Sequence, residues 1–432
     1  MRGWQVCRIP LRSIRMLMHN REPSRSGQWK VFLAAFLGWM FDGMEMGIFP
    51  LVARPALQQM QIASGLVQEG YVQHWMGIVT ALFLLGASVG GVVFGWLGDR
   101  VGRVRAMTWS ILCYSLFTGL CYFASEPWHL AAFRFVAALG MGGEWALGVA
   151  LLMETWPEGK RPLMAGLIGA AGNLGYVVIG MIAIFFPITR DSWRWVMMVG
   201  AGPALPTFFL RLFVPESERW KAAVQRGPAN PLREIFTPPL LRRTCFAIVF
   251  SAIPLIVTWG SVQWLTLWAD QMTGGQVPQA KGYTQIWSAA GAIIGCVIAP
   301  LVAERMGRRP VYCALCLLAF ASASVLFRFY HTFDLGFLML VGWVGLFSAA
   351  FYGWLPLYLP ELFPTRVRAT GQGFAFNFGR IFAAIGAWQM GSILHWFDNS
   401  YAAAGGAIVM IYFVGAVLIW FAPETRGKPL PE

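Results

Sequence analysis

Gly95-Trp96-Leu97-Gly98-Asp99-Arg100-Val101-Gly102-Arg103-Val104-Arg105 is a short hydrophilic turn between two long apolar runs, roughly 75–98 and 106–124. Its glycines let neighbouring helix ends approach closely, and its arginines suit carboxylates and C-terminal helix carbonyls. The pattern returns as Pro300-Leu301-Val302-Ala303-Glu304-Arg305-Met306-Gly307-Arg308-Arg309, with Glu304 placed 205 residues after Asp99. Asp99, Arg100 and Arg103, with Glu304, Arg305 and Arg308 in the second copy, are expected to form charged gating latches. Such a latch would bias a two-state equilibrium without touching a ligand.

Working outward, the 432 residues are 57% hydrophobic and 12% charged, with a mean hydropathy of +0.57. Soluble domains carry about 25% charged residues, so the composition indicates a polytopic membrane protein. Apolar runs fall near 30–52, 75–98, 106–124, 128–151, 162–186 and 194–214, then 244–268, 283–303, 310–330, 334–358, 370–393 and 401–422. Each is long enough to cross about 30 Å of hydrocarbon as a helix. The expected fold is all-α, twelve transmembrane helices in two six-helix pseudo-repeats. Residues 1–29 form a basic tail, 30–214 and 244–422 the two halves, 215–243 a linker with Pro228, Pro231, Pro238 and Pro239, and 423–432 a closing tail.

Further anchors keep the same register. Glu154, Arg161 and Gly166 match Glu361, Arg368 and Gly373 at an offset of 207, and Pro215-Glu216-Ser217 matches Pro423-Glu424-Thr425 at 208. Three anchors within three residues of one spacing point to duplication. Glu154 with Arg161, and Glu361 with Arg368, are expected to act as further gating pairs.

A net charge of +13 would suggest nucleic acid in a soluble protein, but topology accounts for it. With the even-numbered loops and both termini on the cytoplasmic side, 25 of the 33 Lys and Arg lie there and 4 opposite. The tail reads as a disordered basic segment against anionic lipid. Cys313 and Cys316 lie in an apolar run with no second pair, which fits small core residues better than a metal or redox site. The five histidines fall in the tail or at helix ends, and neither a phosphate-binding loop nor a nucleophile–base set is present. No metal, cofactor or enzymatic role is expected.

The loop and its repeat resemble the signature of the major facilitator superfamily. The resemblance covers roughly 30–428 and implies alternating access around a midplane site between parallel halves. Pro215-Glu216-Ser217-Glu218-Arg219-Trp220, Pro360-Glu361-Leu362-Phe363-Pro364-Thr365-Arg366 and Pro423-Glu424-Thr425-Arg426-Gly427-Lys428 look like sugar-porter motifs. The second of these also appears in aromatic acid/proton symporters. Gly142-Gly143-Glu144-Trp145 resembles metabolite/proton symporters, and Asp42-Gly43-Met44-Glu45 resembles the aromatic acid branch, with Glu45 where that branch has Asp.

Charged groups at membrane depth are costly and mark functional candidates. Asp42 and Glu45 share one face of the first helix, where mutual repulsion favours proton uptake by one of them. Arg134 resembles the proton-coupling arginine of relatives and could pair with Asp42 or Glu45; the alternative is a structural ion pair. Glu144 could bond Arg103 or a substrate. Arg380, one turn after Asn377, offers a fork suited to a carboxylate, or a partner for a protein carboxylate. Gln263, Trp264, Asn173 and Tyr176 are the neutral candidates for lining a substrate cleft.

The expected function is proton-coupled uptake of a small organic anion, an aromatic or aliphatic carboxylate, by a monomer in the cell membrane. The partners are then the substrate, H+ and the lipid bilayer. The alternative is a sugar or polyol symporter or uniporter. A third class, a nutrient sensor on a transporter fold, is expected to add a long cytoplasmic tail, whereas four residues follow Lys428.

Overall fold

The computed structural model describes residues 25–65, 70–186, 188–202, 208–209, 211–225, 230–277 and 279–432. The basic tail up to residue 24, residues 203–207 of the expected sixth span and 226–229 of the linker lie outside the described residues. Among the described residues every regular element is helical, which lets each backbone amide in an apolar run bond within its own segment.

The membrane helices are α1 (Arg25–Ala63), α2 (Tyr71–Val101), α3 (Arg103–Leu120), α4 (Pro127–Thr155), α5 (Arg161–Phe185) and α6 (Trp193–Ala201). After the linker come α7 (Pro238–Met272), α8 (Ala280–Met306), α9 (Arg308–Phe329), α10 (Leu335–Leu362), α11 (Arg368–Trp388) and α12 (Tyr401–Phe421). Among the described residues ten of these are long and apolar enough to cross a membrane. The other two are α6, described only in part, and α11, where Thr370, Gln372, Asn377 and Arg380 dilute the apolar content. The chain is a multi-pass membrane protein.

Two expectations change. The first span does not stop near residue 52: α1 runs 39 residues, straight through Pro50 and Pro55, because the turns around them are packed in place by Leu51, Val52, Ala53, Ala56 and Leu57. The seventh span is not continuous. The helix ends at Gly260, Ser261 leaves helical geometry (φ −143°, ψ −62°), and one 3-10 turn, Val262–Trp264, leads into Leu265–Met272. The break turns Val262 and Gln263 toward the middle of the molecule.

The first six and last six helices pack in equivalent ways. α2 lies on α4 as α8 lies on α10, and α1 on α5 as α7 on α11. The two sets meet along α2–α11 and α5–α8. Each signature turn has a glycine at positive φ, Gly102 at +114° and Gly307 at +104°, a conformation that L side chains rarely adopt. The sharp bend exposes the first amides of the next helix, and a distant carboxylate takes them. Glu216 accepts from the backbone N–H groups of Arg103 (3.0 Å) and Val104 (3.1 Å), and Glu424 does the same for Arg308 and Arg309, each at 3.1 Å.

Candidate functional site

Between the two six-helix sets lies a cleft of about 920 Å³, counting the space open at its mouth. Trp39, Asn173 and Tyr176 come from the first set, and Trp259, Gln263, Tyr352, Phe376 and Arg380 from the second. A narrower space of about 660 Å³, walled by Phe49, Phe83, Arg134 and Trp264, leads away from the signature turns. Gln263, Trp259 and Met46 line both spaces. Gln263 donates to the Tyr176 hydroxyl at 2.9 Å, joining α7 to α5 across the cleft.

Arg380 is the one charged side chain among the described residues lining the cleft, and it is 2% exposed. Its Nη1 donates to Asn377 Oδ1 at 2.8 Å, its guanidinium sits 5.4 Å from the Phe376 ring centre, and its Nε has no partner. No carboxylate pairs with it among the described residues. Of the other expected lining residues, Asn173 and Tyr176 are in the wall, while Trp264 faces only the narrower space. Asn377 and Glu144 do not line the cleft: Asn377 is spent on internal hydrogen bonds behind Arg380, and Glu144 is held inside the first six helices.

That interior holds a second group of charges. Asp42 is fully buried on α1, and neither of its carboxyl oxygens has a hydrogen-bond partner. The charges acting on it are those of Glu144, Glu45, Arg211 and Arg380. Glu45 pairs with Arg134 and accepts from Thr118 at 3.3 Å, and the Arg134 guanidinium lies over the Phe83 and Phe49 rings at 4.4 and 5.0 Å. Of the two carboxylates open to Arg134, it therefore takes Glu45. Glu144 pairs with Arg211, not Arg103. Sequence reasoning left Arg211 without a role because it reads as the basic end of an apolar run; only the fold shows that it turns inward to Glu144.

The signature turns lie at the other end of the cleft. Asp99 accepts from the backbone N–H groups of Ala369 (3.3 Å) and Thr370 (2.8 Å) and from the Thr370 hydroxyl (2.6 Å), so the carboxylate sits on the first turn of α11. Arg103 pairs with Asp99 (2.8 Å) and Glu154 (3.1 Å) and donates to the Thr365 carbonyl (2.8 Å). Arg368 reaches Glu154 at 3.0 Å and the Pro431 carbonyl at 2.8 Å. Glu154 also accepts from Ser217.

The latch differs from the sequence expectation in its pairings. Glu154 pairs across the two sets with Arg368, not with Arg161, which instead bonds Glu158 and the Met153 carbonyl. Glu361 pairs with Arg308 inside the second set. Arg100 is exposed over the Trp96 ring, Arg305 is exposed, and the exposed Glu304 pairs with the buried Arg308 of its own set. The one-sidedness has a covalent cause. Register places Pro162 and Leu163 where α11 has Ala369 and Thr370, so of the three donors that meet Asp99 the first copy keeps one amide.

At the end of the cleft away from the latch, Arg54 of α1 and Lys281 of α8 both reach Asp270 of α7 at 3.1 Å. The two sets of helices therefore touch at both ends of the cleft.

Two six-helix sets that meet at both ends of a central cleft are the arrangement of a membrane transporter working by alternating access. The model of the Major Facilitator Superfamily matches residues 31–387, and the chain belongs to that family. It is 29% identical to the inner membrane metabolite transport protein YgcS of Escherichia coli over 383 residues, covering 82% of this chain and 84% of that protein. It is 27% identical to the cis,cis-muconate transport protein of Acinetobacter baylyi over 436 residues, covering 95% and 98%. Among solved structures it resembles the proton:xylose symporter XylE of E. coli bound to 6-bromo-6-deoxy-D-glucose, with a TM-score of 0.76 at 18% identity over 94% of this chain and 98% of that one. The protein is a transporter and not an enzyme.

Proposed function

We propose that this transporter imports a small organic anion with a planar, unsaturated body, together with a proton. One observation carries the reading: the cleft presents a single guanidinium with which no carboxylate pairs among the described residues, flanked by aromatic rings. A carboxylate would take the free edge of Arg380, and its body would lie among Trp39, Tyr176, Tyr352 and Phe376. The muconate carrier among the relatives supports the same substrate class.

Asp42 is the proton carrier in this reading. It is buried without a donor, and Arg380 is among the charges it feels. An anion on Arg380 cancels that charge, so Asp42 takes up a proton more readily once substrate is bound. By linkage, a proton on Asp42 strengthens anion binding to the same extent. The arginine-rich latch faces the cytoplasm, as do both termini, in the cell membrane. The second reading, a neutral polyol, draws on Asn173, Gln263 and Gln285 in the same wall.

Thermal unfolding of the purified protein with carboxylates and sugars, at pH 5.5 and 7.5, tests both. A ligand at a hundredfold excess over its dissociation constant adds about 2.7 kcal/mol. The expectation is stabilisation by planar acids, stronger at pH 5.5 and lost in Arg380→Ala. Stabilisation by sugars alone, unaltered in Arg380→Ala, would establish the polyol reading instead.

A further inference from the structure

Asn377 has no place in the cleft wall, yet both ends of its carboxamide are committed. Oδ1 accepts from Arg380 at 2.8 Å, while Nδ2 donates to the Gly142 carbonyl on α4 at 3.1 Å and to the Gly373 carbonyl on α11 at 2.9 Å. The surroundings fix this orientation: a flipped amide would set NH₂ against a guanidinium and oxygen against two carbonyls. One helical turn further along α4, Gln372 Nε2 donates to the Ala146 carbonyl at 2.5 Å. Two side-chain amides of α11 are thus hooked onto two carbonyls of α4, four residues apart. Between them Phe376 stacks on Trp145 of α4, with centroids 3.9 Å apart and planes 16° from parallel, and the Arg380 guanidinium lies over the same ring at 5.4 Å.

Both supports of Arg380, the Asn377 oxygen and the Phe376 ring, are therefore anchored on a helix of the opposite set. α4 also carries Glu154 of the latch. A separation of α4 from α11 would break the Asn377–Gly142 bond and the Phe376–Trp145 stack together.

We propose that Asn377 is a positioning residue that couples closure of the latch to the aim of Arg380, holding the guanidinium toward the cleft while the latch is shut and releasing it when the latch opens. Substrate affinity is then high in the latch-closed state and falls on opening, which delivers the anion to the latch side. This rests on the reading of Arg380 as the anion-receiving group.

The comparison that isolates the role is with Gln372, which makes the same kind of hook but does not touch Arg380. Binding and proteoliposome uptake of benzoate and nicotinate are measured for wild type, Asn377→Ala, Asn377→Asp, Gln372→Ala and Arg380→Ala. Losing one hydrogen bond to a charged group corresponds to about tenfold. Asn377→Ala is expected to raise KM for the acids about tenfold with little change in maximal rate. Asn377→Asp, which places an anion on Arg380, is expected to raise it further. Gln372→Ala is expected to change the maximal rate and leave KM within about twofold. Equal KM effects of Asn377→Ala and Gln372→Ala, or an unchanged KM in Asn377→Ala, would overturn the proposal while Arg380→Ala still abolished binding. Failure of wild type to bind either acid, or undiminished binding by Arg380→Ala, would instead bring down the organic-anion reading and this inference with it.

Discussion

Arg368 of α11 donates to Glu154 of α4 at 3.0 Å, and Arg103 reaches the same carboxylate oxygen at 3.1 Å. One buried oxygen thus serves a guanidinium from each six-helix set. All three side chains are shielded from solvent, so the carboxylate keeps two cations compatible with burial.

Glu154→Gln removes that charge and leaves two guanidinium groups facing each other. Breaking a buried pair by deleting one partner costs about 3–5 kcal/mol, and a large fall in the unfolding midpoint of the detergent-purified protein is expected. Adding Arg368→Met should recover part of the loss. A midpoint for Glu154→Gln equal to that of wild type would show that the charge is not needed.

Asp42→Asn keeps the shape of the group and removes its capacity to carry a proton. In proteoliposomes the variant should still exchange labelled for unlabelled acid but lose accumulation driven by an imposed pH gradient. Accumulation at the wild-type level would assign the proton to another residue.

Glu216 and Glu424 occupy equivalent positions outside the membrane spans but are shifted from the usual carboxylate range in opposite directions. Burial pushes the Glu216 carboxyl above its usual range, with the amides of Ser217, Val104 and Arg103 only partly opposing it. Burial acts on Glu424 too, yet the amides of Arg308, Arg309, Arg426 and Thr425 outweigh it and hold the carboxyl below that range. The stability that Glu424 contributes is present above its unfolded value and lost as pH falls through its folded one; for Glu216, stability declines as pH rises past its unfolded value. Between about pH 3 and 7, Glu424→Gln should flatten the loss of stability on acidification, and Glu216→Gln should flatten the decline on alkalisation. Midpoints across that pH range check the slopes. Parallel shifts of both variants would refute the opposition.

Arg380 and Asp42 were legible in the sequence because a charge inside a 20-residue apolar run has few bland explanations. Asp99, Arg103, Glu154 and Arg368 were legible because the repeat prints them twice. Their partners were not: Glu154 meets Arg368 across 214 residues of chain, and local spacing suggested Arg161 instead. Glu216 was recognised as part of a motif but not as a cap, since the amides it binds belong to every residue type. Asn377 looked like a ligand because it sits one turn from Arg380; that it faces α4 depends on helix rotation, which sequence spacing does not fix.

Pro162 gives the duplicated chain a handedness in time as well as in space. A faithful doubling would have carried two equal clasps, each able to stand in for the other. With a ring where an amide would be, the second clasp cannot form as the first does, and the seam at that end is fastened by acceptors and donors of the first copy alone: Asp99 on the start of α11, Glu154 on Arg368 and Arg103 on the Thr365 carbonyl. Such a machine forfeits the second clasp that could hold the door half shut once the first lets go.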